Sequence, residues 1–208
     1  MKIFIDFDDT LFNTKDFSSE YKKVFSTCGV CKDIFQELYY DYPQKEEGKL
    51  LKYDSQKHIE RIGEECQMDV GELKSRVDEL IKNTRKYIFS DSRNFLDNFR
   101  KNDLVLVSYG KTQFQKNKIM HSGIAKYFGK IILTDDMKSK VIKKFLKPQE
   151  AFYFMDDRVE QVEDVKIKLP LGITFFVKRP EGRFDDERNQ YCDFEIKNLS
   201  EALDIIKK

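Results

Sequence analysis

The stretch Lys2-Ile-Phe-Ile-Asp-Phe-Asp-Asp-Thr-Leu-Phe12 constrains the fold of this chain more than any other. An apolar, strand-like run ends in Asp6 and Asp8, one residue apart, with Thr10 just beyond. Side chains of a strand alternate faces, so strand geometry carried past Phe4 and Ile5 would aim both carboxylates to one side. At about 4 Å and an effective dielectric near 20, a like-charge pair costs roughly 4 kcal/mol. A cation or a reaction has to justify that arrangement.

Two more runs end in the same way. Leu104-Val-Leu-Val-Ser-Tyr-Gly110 is short, β-branched and apolar, and stops at a hydroxyl and a glycine. Ala151-Phe-Tyr-Phe-Met-Asp-Asp157 stops at a second acid pair, and Thr134-Asp-Asp-Met-Lys-Ser-Lys140 places lysines before an amphipathic helix pattern. Continuous apolar runs of this length are the habit of strands buried on both faces, as in parallel sheets covered by helices. In such sheets ligands bind beyond the carboxyl ends of the strands. Asp6, Asp8, Ser108, Asp156 and Asp157 all fall there. Further strands are expected at Lys130–Leu133, Gly172–Lys178 and Phe194–Ile196. Helices are expected over Asp91–Lys101, Gln113–His121, Lys140–Leu146, Arg158–Lys168 and Ser200–Ile206, and Thr112 to Gln115 has capping-box spacing. The charged stretch from Lys178 through Arg179 and Arg183 to Gln190 reads as solvated surface, with contact of Lys178, Arg179 or Arg183 to substrate as the alternative.

In this order, acid pair, hydroxyl, lysine, acid pair, the signals resemble the haloacid dehalogenase-like (HAD) hydrolase superfamily, over essentially the whole chain. The resemblance implies an α/β fold, a three-layer Rossmann-like core with a parallel sheet. It makes Asp6 the nucleophile that accepts a phosphoryl group, and Asp8 the acid that protonates the leaving oxygen and then activates water. Ser108, Tyr109, Gly110 and Lys138 would contact substrate. Mg²⁺ would be held by Asp6, Asp156 and Asp157, with the backbone carbonyl of Asp8 completing the shell. Lys138 is preferred to Lys140 because it stands where a residue enters the helix of Val141, Ile142 and Phe145. Relatives often follow this lysine with proline; here Ser139 does.

The chemistry is consistent on its own terms. A carboxylate with a reference pKa of about 3.9 is ionised at neutral pH and attacks without a separate base. A phosphate monoester carries about −1.5 to −2 charges, so that charge has to be screened first. Mg²⁺ with carboxylate oxygens does so, and a lysine adds a point charge. The acid at position 8 favours phosphate-ester chemistry over dehalogenation, for which the superfamily needs no acid there. A phosphatase acting on a small phosphorylated metabolite is expected. A sugar phosphomutase and a non-catalytic binding protein of the same fold remain alternatives.

Between Asn13 and about Ser90 the pattern turns helical. Tyr21, Val24, Phe25 and Cys28 recur at helical spacing, as do Ile34, Phe35, Leu38 and Tyr39; Ile59, Ile62 and Cys66; and Val70, Leu73, Val77, Leu80 and Ile81. Gly29, Pro43 with Gly48, and Asp69 divide the stretch into four helices, and Asp69 to Glu72 has capping-box spacing. This stretch resembles the helical cap of many superfamily members, giving a core of residues 1–14 and 91–208 and an all-helical cap domain of 15–90. Hinges are expected near Asn13–Asp16 and Tyr87–Ser92. Phe17, Phe25, Phe35, Tyr39, Tyr40, Tyr42 and Tyr53 would mostly form the cap's own core.

Composition narrows the remaining classes. The 208 residues can bury one sizeable core with a smaller module, and the net charge of +1 disfavours nucleic acid as a partner. No run of about 18 apolar residues is present, and the N-terminal run meets an acid pair too soon for a signal peptide. A cytoplasmic, non-membrane protein is expected, with its oligomeric state left open. Cys28-Gly-Val-Cys31 has the spacing of half a zinc site, but Cys66, Cys192, His58 and His121 stand at no matching spacing. Reduced thiols are expected.

Overall fold

The structure, a computed structural model, describes residues 1–40 and 53–207. Strand β1 (Lys2–Ile5) is followed by helices α1 (Thr14–Thr27), α2 (Lys32–Tyr40), α3 (Ser55–Cys66) and α4 (Gly71–Lys82). The chain continues through α5 (Ser90–Leu96), β2 (Leu104–Tyr109), α6 (Gln113–His121), β3 (Lys130–Thr134) and α7 (Lys138–Ile142). It ends with β4 (Phe152–Asp156), α8 (Val159–Lys168), β5 (Gly172–Val177), β6 (Phe194–Ile196) and α9 (Leu199–Ile206). Tyr42, Pro43, Gly48 and the side chain of Tyr40 lie outside the described residues. No helix among the described residues is long and apolar enough to cross a membrane.

The strands form one parallel sheet in the order β3-β2-β1-β4-β5-β6. Alternation sorts its side chains into two apolar layers. Ile3, Ile5, Leu104, Leu106, Met155 and Phe175 pack with Phe95 and Leu96 of α5 and Leu199 and Ala202 of α9. Phe4, Val105, Val107, Phe154 and Phe176 face the other way, against Ile142 of α7 and Val162 and Val165 of α8. A β-carbon at Gly172 would lie 2.5 Å from the ring of Phe152, its register partner, so a larger residue there would force that buried ring to move. Because all strands run the same way, the ends of β1, β2, β3 and β4 open on one edge of the sheet.

Among the described residues, helices α1 to α4 lie between β1 and α5, as the periodicity predicts. Some boundaries differ from expectation. Helix α4 starts at Gly71, and Asp69 accepts from the Gly71 amide at 2.9 Å while Glu72 pairs with Arg76, so the expected capping box does not form. Helix α5 stops at Leu96 instead of Lys101, where Asp97 and Asn98, weak helix formers, follow. Helix α7 begins at Lys138 and tightens into a 3₁₀ turn over Lys143–Phe145. The two connections expected to act as hinges lie side by side. The Asn13 amide donates to the Tyr87 carbonyl at 2.7 Å, and the Phe89 amide to Leu11 at 3.0 Å.

The inserted helices pack around rings. His58 is fully buried and stacks on Phe25 with centroids 5.3 Å apart. Its Nε2 faces the Phe35 carbonyl at 3.2 Å, which can only accept, so Nε2 carries the proton and Nδ1 accepts from the Tyr53 hydroxyl at 2.9 Å. Tyr53 in turn accepts from the Tyr21 hydroxyl at 2.5 Å. Burial pulls the His58 pKa down to about 4, against a partial upward pull from Phe35.

Arg179 corrects the expectation of a wholly solvated loop after β5. It is buried, and its guanidinium contacts both Asp91 oxygens at 3.0 and 3.1 Å and the Thr10 carbonyl at 2.8 and 2.9 Å. It also lies 3.9 Å from the Phe89 ring centre. One side chain thus ties the loop after β1 to the start of α5. Removing one partner of a buried pair leaves the other charge uncompensated, so Arg179→Ala is expected to destabilise by about 3–5 kcal/mol in denaturant unfolding. His58 supplies a second expectation. Its folded pKa lies below the unfolded value of 6.5, so the unfolded chain binds the extra proton as pH falls. Stability should decline between about pH 6.5 and pH 4, and His58→Gln should flatten that slope.

Candidate active site

Asp6 extends β1 by one residue, its amide donating to the Met155 carbonyl at 3.0 Å. The chain then turns sharply. The Leu11 and Phe12 amides both bond the Phe7 carbonyl at 3.0 Å, and Asp9 adopts a φ of 52°, a left-handed conformation that aspartate tolerates. Strand geometry therefore does not persist to Asp8. Asp6 and Asp8 line one cavity of about 170 Å³ but bond to different partners.

On the Asp6 side, the Lys138 ammonium bonds Asp6 Oδ1 and reaches Asp156 Oδ2 at 2.6 Å. Gln161 accepts from the Lys138 amide at 3.1 Å, which anchors the start of α7. Lys140 is exposed and pairs with Asp136, away from the cluster. Asp6, Asp156 and Asp157 each offer an oxygen within 4.8 Å of the others. Burial, the negative charges of Asp156 and Asp8, and an opposing pull from Lys138 leave the Asp6 pKa at about 7. Burial and the charges of Asp6 and Asp156 raise Asp157 well above the carboxylate range. For Lys138, burial is outweighed by Asp156 and Asp6, which hold it protonated.

Asp8 sits in a different network. Lys118 donates to its Oδ1 at 2.6 Å, Thr14 to the same oxygen at 2.8 Å, and Gln115 to Oδ2 at 2.5 Å. Burial would raise its pKa, but Lys118 and Arg183 overcome that, helped by the bonds from Lys118 and Thr14, and bring it to about 2. Lys118 is itself buried, 5.0 to 5.7 Å from the ring centres of Phe12, Phe17, Phe7 and Phe114. Gln115 also donates to Ser108 Oγ at 2.8 Å, which leaves the buried Ser108 hydroxyl its own proton to donate. Arg183 bonds Asp9 at 2.5 Å and borders the cavity.

The expected residues Asp6, Asp8, Ser108, Tyr109, Lys138, Asp156 and Asp157 thus gather at one edge of the sheet. Gly110 makes the turn beyond β2 with a φ of 98°, and its amide bonds the Thr134 carbonyl at 2.9 Å. The carboxyl group of Asp8 is turned to Lys118, so the backbone carbonyl is what it could offer a cation. Thr14, Gln115 and Lys118 were missed by sequence reasoning, and Arg183 entered it only as the alternative to a solvated loop. The signal for two of them was present: Gln115, Lys118 and Ile119 share one buried face of α6, at i, i+3 and i+4, and two of these are polar. Cys28, Cys31, Cys66 and Cys192 are free thiols.

A family model described as haloacid dehalogenase-like hydrolase matches residues 3–166. No curated protein matches the chain. Among solved structures, a haloacid dehalogenase-like hydrolase from Burkholderia xenovorans LB400 superposes with a TM-score of 0.72 at 15% identity, covering 98% of this chain and 94% of that one. The HAD-hydrolase YfnB from Bacillus subtilis, bound to magnesium, gives 0.65 at 14%, with 100% and 98% covered. The L-2-haloacid dehalogenase from Xanthobacter autotrophicus with chloropropionic acid covalently bound gives 0.64 at 12%, with 99% and 98% covered.

Three carboxylates face one ammonium in the cluster, whereas Asp8 and Asp9 are each matched by a cation. Replacing Asp157 by asparagine removes repulsion, so in chelator Asp157→Asn should melt no lower than the parent protein. Millimolar Mg²⁺ should raise the parent's Tm by several degrees and leave that of Asp157→Asn nearly unchanged, read by thermal melts.

Proposed function

The chain belongs to the haloacid dehalogenase-like hydrolases, and on that premise we propose that it is a Mg²⁺-dependent phosphohydrolase acting through an aspartyl-phosphate on Asp6. The observation that carries this reading is the crowding of three carboxylates, Asp6, Asp156 and Asp157, around the single ammonium of Lys138. An all-oxygen donor set of this kind suits a hard divalent cation, with Asp6, Asp156, Asp157 and the Asp8 carbonyl as its protein ligands. Bound there, Mg²⁺ would neutralise the negative charge of the phosphoryl group. The magnesium reported with the B. subtilis protein agrees with this reading.

The chain's own residues supply the rest. The Asp6 carboxylate attacks phosphorus, forming an O–P bond while the bond to the leaving oxygen breaks. Lys138 holds that carboxylate beside Asp156 and offsets charge as the dianion approaches. Ser108 donates to a phosphoryl oxygen, its hydroxyl oriented by Gln115. Asp8, ionised at rest by Lys118, takes up a proton when the substrate brings further negative charge beside it. It gives that proton, drawn from solvent, to the leaving oxygen, takes one from the water that cleaves the acyl phosphate, and returns it to solvent as the products leave. Ester and water become alcohol and phosphate, with Asp6 and Asp8 restored. Helices α1 to α4 serve as a cap that excludes bulk water from this exchange.

The X. autotrophicus dehalogenase shares the fold, but the acid at position 8 and the acidic cluster favour phosphate esters here. The test measures inorganic phosphate from acetyl phosphate and alkyl phosphates, and halide from 2-chloropropionate, in parallel. Phosphate release is expected, lost on chelation and in Asp6→Asn. Asp8→Asn should lower turnover of alkyl esters by about 10²–10⁴, because their leaving oxygens need a proton. Halide release without phosphate release would overturn the reading. Isomerisation of a sugar phosphate with little net phosphate would replace it by a phosphomutase.

A further inference from the structure

Beside the carboxylate cavity lies a second one of about 400 Å³, a volume typical of small-molecule sites. The two share Asp8, Tyr109 and Arg183. The smaller cavity is sized for a phosphoryl group, and the proposed proton donor Asp8 stands on the boundary. The larger cavity therefore begins where the leaving group would.

Its lining is selective. Among the described residues, every apolar side chain that borders it is aromatic; no leucine, isoleucine, valine or methionine does. Tyr39 and Tyr53 have ring centres 4.7 Å apart, Tyr53 and Phe114 5.3 Å, and Tyr21 and Phe114 5.7 Å. Tyr39, Tyr53, Tyr109 and Phe114 are only half-buried, so part of each ring remains accessible. The hydrogen bonds from Tyr21 to Tyr53 and from Tyr53 to His58 fix the orientation of that wall. Ser18, Gln36 and Thr112 add hydrogen-bonding groups to the lining. Rings that stay in place, with polar groups around them, match a flat heteroaromatic ligand better than a sugar, which offers no π-face.

We infer that the substrate is a phosphate monoester whose leaving group carries a planar heteroaromatic ring at nucleoside size, as a nucleoside 5′-monophosphate does. The inference rests on the phosphohydrolase reading, because it assigns the leaving-group side of that same site. Stacking of a base on aromatic side chains is worth enough to change binding by about tenfold or more.

The experiment compares adenosine and cytidine 5′-monophosphates with ribose 5-phosphate, which has the same phosphate and sugar but no ring. Acetyl phosphate is included as a small substrate that needs no second cavity. The nucleotides are expected to exceed ribose 5-phosphate by at least about tenfold in kcat/KM. Phe114→Leu and, as an independent variant, Tyr39→Leu should each cut that ratio by roughly fivefold or more. Acetyl phosphate cleaved with no preference for the nucleotides would overturn the inference and leave the phosphohydrolase standing. An unchanged ratio in both variants would overturn it as well. Phosphate released from none of the four compounds would overturn both readings.

Discussion

Three buried carboxylates around one ammonium form the arrangement on which the rest of this site depends. It exists because β1 and β4 are neighbours in a parallel sheet, so Asp6 and Asp156 leave adjacent strands at the same edge. Lys138 arrives from α7 and bonds both. Without a further cation the cluster carries more negative charge than its surroundings neutralise, and Asp6 and Asp157 answer by holding protons more tightly. The neighbouring charges are arranged differently. Asp8 is matched by Lys118 and Asp9 by Arg183. Local neutrality around those two pairs confines the imbalance to the three residues that could share a metal ion.

The sheet was legible in the sequence because its strands are buried on both faces. Ile3, Phe4 and Ile5, or Val105, Leu106 and Val107, must all be apolar when helices cover both sides. The places where these runs stop mark the edge where the candidate site gathers, so Asp6, Ser108 and Asp156 could be read directly. Lys138 could be separated from Lys140 because the helix start has a periodicity of its own. Helix ends were less legible. The capping box expected at Asp69 failed because the helix begins two residues later, leaving Asp69 to cap a turn instead.

The partners of Asp8 were hidden for a different reason. Lys118 lies 110 residues from Asp8, and Arg183 lies 174 from Asp9. In a chain that is 36% charged, one more lysine on a helix or arginine in a loop carries no mark of burial. Arg179 is the same case, since its two partners, Thr10 and Asp91, are themselves far apart along the chain. Such groups become identifiable only when tertiary packing removes their water.

The paired amides and carbonyls at Asn13 with Tyr87, and Leu11 with Phe89, have a consequence for how this architecture can vary. The intervening helices leave and rejoin the sheet through points one hydrogen bond apart. Whatever lies between them closes as a loop on a fixed stem. Lengthening, shortening or exchanging that passage adds little strain to β1 or β2, since closure entropy grows only slowly with length. A scaffold joined in this way can keep its sheet and its acidic edge while the material above them is rewritten, which accords with extensive superposition at 15% identity.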